Sequence, residues 1–541
     1  MSFRRSPWVP FGIALTFLLL AAGIEHHAVV CRPYSLFEMV EHYFLRSLAL
    51  QLLLAAPLLF LPRRGAAWYG ATVIPLNLGA MIFQTVLAKG FALPVEKQLF
   101  SMLSVSSSAE IAEFTCGFFR GIAGWSVIAG VFALAGLGVL LFRLAGTPDR
   151  TAKAAGVLLT LPFGWMALGF LAQGCPRQIL NTGTLPRIVL AWNDHRTTLV
   201  RWTEMANAPR IPAGLHRTVP GDLAGVVVIG ESATRRHLSL YGYPRATTPG
   251  LDRNRGELVC FDDVWASDNH TAEALSWDFS FAVPDDPARH PGASLCELLK
   301  RAGFRVVLLS NQDRWGEFDT PVNLLFRSAD RKVYLSEVPG SLRQDGELLP
   351  LLAEELAKTD RPVVVFLHLM ECHIPFQFRY LPGTEAFPEQ EEPPAPYRDA
   401  PEAVRTVVNR YDSALRHGSD TVAGSLELLK KSGRPGFWLY FSDHGEGVYP
   451  GMTEFRPRDP EARSTCEVPL VVWLPPGSRK ERPELFAALR NNAPLPFQCD
   501  RLIYGILHLA GVDYPGFPAT EDLFSPQYRP RKRHAKANLL H

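Results

Sequence analysis

Gly225-Val-Val-Val-Ile-Gly-Glu-Ser232 and Gly436-Phe-Trp-Leu-Tyr-Phe-Ser-Asp-His-Gly-Glu446 decide the fold of this chain. Each is a short apolar run of β-branched or aromatic residues that stops at a charged side chain. Runs without polar alternation belong to strands covered on both faces, as in a largely parallel sheet between helices. Three more runs have the same character: Phe304–Leu309, Pro362–Leu367 and Val468–Leu474. Helix-forming stretches lie between them at Ser294–Ala302, Leu348–Thr359 and Val404–Lys431. The expected architecture is an α/β/α sandwich.

The residues just past each strand carry the chemistry. Glu231-Ser232 succeeds the first, Ser310-Asn311-Gln312 the second, His368-Leu-Met-Glu-Cys-His373 the third and Ser442-Asp443-His444-Gly445-Glu446 the fourth. In open α/β sheets the ligand crevice lies at the carboxyl ends of the strands. Glu231, His368, His373, Asp443 and His444 are therefore expected to converge on one edge. Glu231, Asp443 and His444 supply oxygen and nitrogen ligands suited to Zn²⁺, with a position left open for catalysis. Asp-His-Gly alone also describes a polar strand end with an ordinary surface histidine; Glu231 ending another strand favours the metal. Gly445 reads as the residue of a tight turn. Thr271, in Ala266-Ser-Asp-Asn-His-Thr-Ala-Glu273, stands just before a helix-like stretch, Ala272–Phe281. It reads either as an N-cap or as a hydroxyl placed where helix N–H groups face an anion.

Outward from this core the chain changes solvent. Of 55 Lys/Arg and 53 Asp/Glu, residues 1–173 hold 12 and 7. Five apolar stretches there, Trp8–Ile24, Ser47–Leu61, Trp68–Ala88, Gly121–Phe142 and Ala154–Gln173, can each cross a hydrocarbon core of about 30 Å. Arg4 and Arg5, Arg63 and Arg64, and Arg143, Arg150 and Lys153 fall on one side, which makes that side cytoplasmic and everything after Gln173 external. Reading Arg4–Gly23 as a signal peptide leaves the parity of the other four unchanged. No span has a central pair of charges, which argues against transport. Phe91–Thr115 reads as a membrane-surface helix or a plain loop. The net charge of +2 excludes a strongly basic nucleic-acid binder, and 47% hydrophobic residues exclude a disordered chain. Six of the eight cysteines, Cys175, Cys260, Cys296, Cys372, Cys466 and Cys499, lie at or beyond the last span, where disulfides are possible and their pairing is open.

The string Val226–Pro249 (VVVIGESATRRHLSLYGYPRATTP) resembles the opening motif of the phosphoethanolamine transferases of Gram-negative envelopes. Ala266-Ser…Thr271, Leu309-Ser-Asn-Gln312, Leu367-His-Leu-Met-Glu-Cys-His373, Ser442-Asp-His-Gly-Glu446 and Tyr411-Asp412 match in order. The Gly-Glu-Ser opening and the Leu-Tyr-Gly-Tyr-Pro run are most similar to the branch that modifies the lipopolysaccharide core.

The resemblance implies a five-helix transmembrane domain (1–173), a connector with short helices (174–221), a periplasmic alkaline-phosphatase/sulfatase-like domain (222–526) and a basic tail (527–541). It implies a multi-pass protein of the inner membrane, expected as a monomer. It assigns Thr271 as nucleophile and Glu231, Thr271, Asp443 and His444 as ligands of one Zn²⁺. His373 would bind phosphoethanolamine, protonate the leaving alkoxide or serve a second metal; His368 and Asn311 are the further expected substrate-binding residues.

Phosphatidylethanolamine is the implied donor, and lipopolysaccharide or lipid A the acceptor. A threonine hydroxyl is a weak nucleophile at neutral pH, which is why a metal beside it matters. Two features depart from the pattern. Lipid A-modifying relatives have a further His after Asp-His-Gly, whereas Gly445–Thr465 contains none, so a second metal is in doubt. The tail Arg529–Lys536 reads as a solvated end or an attractor of anionic lipopolysaccharide. A sulfatase needs Cys or Ser in a C/S-x-P-x-R setting, absent from the outer domain. A lipoteichoic-type polymerase, a phosphodiesterase and a non-catalytic receptor are the other readings considered.

Overall fold

A computed structural model describes residues 6–29, 45–91, 122–172, 184–219, 221–282, 290–312, 321–335, 343–453, 455 and 462–533. The described chain forms two compact units, one up to Thr197 and one from Thr198 onward. Apart from Phe91, the segment Phe91–Thr115 lies outside the described residues, as do Cys31, Cys116, Cys175 and the tail beyond Arg533.

The first unit consists of the helices Trp8–Val29, Leu45–Ala55, Pro57–Phe60, Arg63–Phe91, Ile122–Leu144, Arg150–Leu158 and Leu161–Ala172, followed by the start of Thr184–Asn207. The five expected apolar stretches fall on the first seven, but two are broken. Pro57 opens a new short helix after Ala56, and Pro162 lies in the first turn of Leu161–Ala172. Proline lacks an N–H and crowds the preceding turn, so it starts helices more readily than it continues them. Among the described residues two helical stretches, Arg63–Thr85 and Arg150–Gly169, are long and apolar enough to cross a bilayer, against five expected; Trp8–Ile24, Leu45–Phe60 and Ala129–Leu144 are shorter. Ala14, Leu18, Leu59, Ile74 and Leu141 pack inside this unit. Phe132 and Trp165 remain 73% and 82% exposed on its outside. The stretch read as short connector helices includes one helix, Thr184–Asn207, which stops ahead of Pro209.

The second unit carries β1 (His216–Arg217), β2 (Ala224–Gly230), β3 (Val259–Cys260), β4 (Val264–Trp265), β5 (Arg305–Ser310) and β6 (Arg331–Tyr334). It continues with β7 (Val363–His368), β8 (Gly436–Ser442), β9 (Leu470–Trp473), β10 (Phe497–Gln498) and β11 (Val512–Asp513). Seven form one sheet in the order β3-β9-β8-β2-β7-β5-β6. The strands from β8 to β6 are parallel, and β9 runs antiparallel to both β8 and β3. All five expected strands are present, the last of them antiparallel.

Side chains alternate across this sheet with period two. Val227, Ile229, Phe366, Leu439 and Phe441 enter one core, with the helices Leu295–Arg301 and Leu502–Leu509. Val226, Val228, Val365, Trp438 and Tyr440 enter the other. That second face is covered by the helix Glu402–Ser432, whose Val404, Val408, Tyr411, Leu415, Val422 and Leu426 recur at helical spacing. The helix ends at Gly433, whose φ of +66° suits a left-handed C-cap. Ser294 caps Leu295–Arg301 by accepting the Glu297 N–H at 3.2 Å.

Cys260, Cys296, Cys372, Cys466 and Cys499 are free thiols, all but Cys260 buried. The disulfides that the compartment allowed are therefore not formed among the described cysteines, which pack as small apolar residues. The start of the basic tail is solvated at Arg529 and Lys532 and tied down at the two arginines between and after them. Arg531 pairs with Asp500, and Arg533 pairs with Asp263 and lies 4.3 Å from the centroid of the Trp265 ring.

Candidate active site

β7, β2 and β8 are neighbours, and their register sets Ile229 beside His368 and Gly230 beside Ser442. Beyond their last residues the chain segments leave the sheet side by side. The Asp443 N–H donates to the Gly230 carbonyl and the Cys372 N–H to the Glu231 carbonyl, each at 3.1 Å. Parallel strands in register thus bring Glu231 and Asp443 together from distant parts of the sequence.

Glu231, Asp443 and His444 are fully buried, and one ligand atom of each lies within 4.8 Å of the others. His444 Nδ1 is 2.7 Å from the Gly445 carbonyl, so Nδ1 carries the proton and Nε2 offers a lone pair. Nε2 lies 3.4 Å from Glu231 Oε1 and 3.6 Å from Asp443 Oδ2. The Thr271 hydroxyl donates to Glu231 Oε2 at 3.0 Å and is 3.5 Å from His444 Nε2. Three acceptor groups therefore point at one another, and buried Asp443 Oδ2 has no hydrogen-bond partner. In a low-dielectric interior this is unfavourable unless a cation lies among them. Two carboxylates, an imidazole nitrogen and a hydroxyl fit a divalent ion such as Zn²⁺. Burial, then the Glu231 carboxylate, pushes the Asp443 carboxyl well above the usual range, with His444 opposing.

Thr271 opens the helix Thr271–Asp278, but the N-cap is His270, and the Thr271 hydroxyl points to Glu231 instead of capping. Ser267 Oγ donates to Asp278 Oδ1 at 2.5 Å, tying the preceding loop to the far end of that helix. Gly445 lies outside the left-handed region, contrary to the turn reading. It is glycine because a Cβ there would stand 2.0 Å from the Ser464 carbonyl oxygen.

The other predicted residues are placed differently from one another. His368 ends β7, buried, with no hydrogen-bond partner at Nε2. Burial lowers its pKa to about 4, with Glu231 opposing, so the ring is neutral at physiological pH. The Asn311 amide donates to Asp345 Oδ1 at 2.8 Å and to the Arg343 carbonyl at 3.1 Å. Asp345 in turn accepts the N–H groups of Met370 and Glu371, both at 2.9 Å. Asn311 is thus built into the turn after β7 instead of presenting its amide to a ligand. His373 turns Nδ1 to its neighbour's carbonyl, Ile374 O, at 2.6 Å and is not a member of the buried metal-capable cluster.

Sequence reasoning missed Ser232 and the part played by Gln312. Ser232 has φ +59°, the one positive value among the described non-glycine residues. Its N–H donates to Asp443 Oδ1 at 3.2 Å and its hydroxyl to Glu231 Oε1 at 2.9 Å. Gln312 Nε2 donates to the Leu369 carbonyl at 2.9 Å and to Glu231 Oε2 at 3.4 Å. Their place beside motif residues was the available signal. The rest of the opening motif is structural. His237 joins Asp412 Oδ1 at 2.7 Å and Tyr397 Oη at 2.6 Å, while Tyr243 and Arg245 donate to Asp412 Oδ2 at 2.8 and 2.9 Å. These bonds fasten the segment after Glu231 to the helix Glu402–Ser432.

The chain is similar to several known proteins. The phosphoethanolamine transferase CptA of Salmonella typhimurium is 30% identical over 319 residues, which are 57% of this chain and 54% of that protein. The chain spans about half the length of the curated relatives it matches. The periplasmic domain of Escherichia coli EptC, solved as a complex with Zn, superposes with a TM-score of 0.56 at 28% identity, covering 60% of this chain and 93% of that one. The integral membrane lipooligosaccharide phosphoethanolamine transferase A of Neisseria meningitidis shares the fold across 97% of both chains, with a TM-score of 0.67 at 18% identity. The family model described as Sulfatase matches residues 225–512. Since that match covers more than half of its length, the chain belongs to the sulfatase family.

Proposed function

We propose that this chain is a membrane-anchored phosphoethanolamine transferase. It takes phosphoethanolamine from phosphatidylethanolamine and passes it, through an adduct on Thr271, to lipopolysaccharide, with a core heptose or its phosphate as the favoured acceptor. The observation that carries this reading is the Thr271 hydroxyl, held 3.0 Å from Glu231 beside a buried carboxylate–carboxylate–imidazole cluster. The transferase names of its relatives support the same class.

Glu231, Thr271, Asp443 and His444 would hold one zinc ion. When bound, the ion supplies positive charge that favours the ionised Thr271 hydroxyl and offsets charge on the phosphoryl oxygens. Thr271 Oγ1 forms a bond to phosphorus as the bond from phosphorus to the diacylglycerol oxygen breaks. The Thr271 proton passes to Glu231 Oε2, and His373 would give a proton to the departing alkoxide. In the second half an acceptor hydroxyl oxygen attacks the same phosphorus as its proton passes to His373, the bond to Thr271 breaks, and Glu231 returns the proton to Thr271. His368, neutral and buried at the end of β7, and His373 beyond it are the groups suited to contact phosphoethanolamine. Asn311 acts indirectly by fixing Asp345 and the turn that carries His373.

With five spans in the first unit and the basic clusters cytoplasmic, the second unit would lie on the periplasmic side of the inner membrane. The aromatic side chains exposed on its apolar helices support a lipid-facing surface. Anchoring keeps an active site in the layer that holds both a two-tailed donor and a lipid-borne acceptor, which raises effective concentration. A monomer suffices, since all proposed ligands come from one chain. The test is labelled phosphatidylethanolamine given to the full-length protein with purified lipopolysaccharide. Diacylglycerol and label on the core oligosaccharide are expected. Label on lipid A reassigns the acceptor, and label found only as free phosphoethanolamine makes the enzyme a hydrolase.

A further inference from the structure

Tyr411 belongs to the helix Glu402–Ser432, not to the strand ends, and the reaction scheme leaves it without a part. Its ring is fully buried, packed edge-on against His237 and Phe376 with centroids 5.1 and 5.2 Å away. Its hydroxyl makes two bonds to one short segment: it donates to the Ser232 carbonyl at 2.8 Å and accepts the Thr234 N–H at 2.8 Å. Those two backbone groups flank Ala233 and are themselves buried. Between them and Glu231 lies Ser232, held at φ +59°, where an L side chain is strained. That conformation turns the Ser232 N–H to Asp443 Oδ1 and its hydroxyl to Glu231 Oε1.

We infer that Tyr411 and Ser232 form a positioning clamp for the zinc ligands: the Tyr411 hydroxyl holds Ser232 in its left-handed conformation, and Ser232 then fixes the two carboxylates relative to each other. This rests on the proposed metal centre. The clamp explains why a tyrosine must stand at this position, because phenylalanine would fill the same space and leave both backbone groups unpartnered. Asp412, the next residue, grips His237, Tyr243 and Arg245, so one helix turn secures the whole segment after β2. Groups that orient metal ligands from outside the first layer typically change metal affinity by about 10–100-fold when removed.

The test uses the full-length protein in detergent and two readouts. In chelator-stripped protein, Tyr411→Phe should speed amide exchange of the segment 231–234 while other strands of the sheet keep wild-type protection. With Zn²⁺ added, competition against a chelator should show affinity lowered about 10–100-fold. Tyr528→Phe, which removes a comparable hydroxyl bonded to the Pro496 carbonyl, should change neither. Ser232→Gly accepts the positive φ and deletes the hydroxymethyl group with its bond to Glu231, so it should weaken zinc binding less than Tyr411→Phe does. If Tyr411→Phe does not fold, a wild-type zinc affinity in Ser232→Gly overturns the inference. Unchanged exchange and unchanged affinity in a folded Tyr411→Phe also overturn it. A wild-type protein that binds no zinc sinks the metal centre instead, and the exchange experiment still decides the clamp.

Discussion

Asp443→Asn should stabilise the metal-free protein while weakening its response to zinc. The side chain keeps its volume, and its amide oxygen can still accept the Ser232 and His444 N–H groups that now bind Oδ1 at 3.2 and 2.7 Å. The amide nitrogen takes the place of Oδ2, the buried oxygen without a partner, and faces acceptors. One negative charge is removed from a pair whose ligand atoms lie no more than 4.8 Å apart. At an effective dielectric constant of about 20, such a pair repels by about 3.5 kcal/mol or more.

Protonation relieves part of that repulsion, because burial and Glu231 raise the Asp443 pKa. The expected gain at pH 8 is therefore about 1–3 kcal/mol. The sign of the pH dependence comes from the same shift. Above about pH 4 the Asp443 carboxyl holds more proton in the folded metal-free wild type than in the unfolded chain, so its contribution to stability falls as pH rises through the raised pKa. Asp443→Asn lacks that slope. Zinc at about 1,000 times its dissociation constant adds about 4.1 kcal/mol to the wild type and much less to the variant. Thermal unfolding of full-length protein, with chelator and with zinc, should reverse the order of the two melting temperatures. A variant that melts below the wild type in chelator would refute the idea that these carboxylates face each other uncompensated.

Thr271→Ala should reduce transfer by on the order of 10⁴-fold or more without lowering the melting temperature, whereas Thr271→Ser keeps measurable turnover. Gly445→Ala should cost about 2–3 kcal/mol in chemical denaturation, since its Cβ would stand 2.0 Å from the Ser464 carbonyl oxygen and the loop must move. Asn409→Ala should cost about 1–3 kcal/mol and speed proteolysis within residues 381–392, because the Asn409 amide serves the carbonyls of Pro388, Glu389 and Glu391 at 3.1, 3.0 and 2.8 Å.

The central strands were legible because burial on both faces leaves the runs from Gly225, Phe304, Pro362, Gly436 and Val468 almost wholly apolar, with Arg305 at the start of β5 the exception. Glu231, Asp443 and His444 were legible for a related reason: a parallel sheet exposes its ligands where the apolar run stops. β3 has two residues, and β6 carries Arg331 and Lys332, so neither edge shows such a pattern. Ser232 and Tyr411 act through backbone conformation and a contact between distant segments, neither of which leaves a local signature. Gly445 was recognised, but for the wrong cause, since close approach of the Ser464 carbonyl is invisible in sequence. Asn311 was credited with a ligand role because its partner Asp345 lies on a segment without periodicity. In the membrane-side unit, apolar composition located the helices, and Pro57 within the short second stretch already signalled its break, but the break before Pro162 was not legible.

Intact-protein and peptide mass spectrometry, after full-length protein meets phosphatidylethanolamine without acceptor, tests the central claim most directly. The account predicts one added phosphoethanolamine group, on the peptide bearing Thr271, that disappears when lipopolysaccharide is supplied and never forms in Thr271→Ala. An adduct on another residue, or transfer to lipopolysaccharide that proceeds in Thr271→Ala, would contradict it.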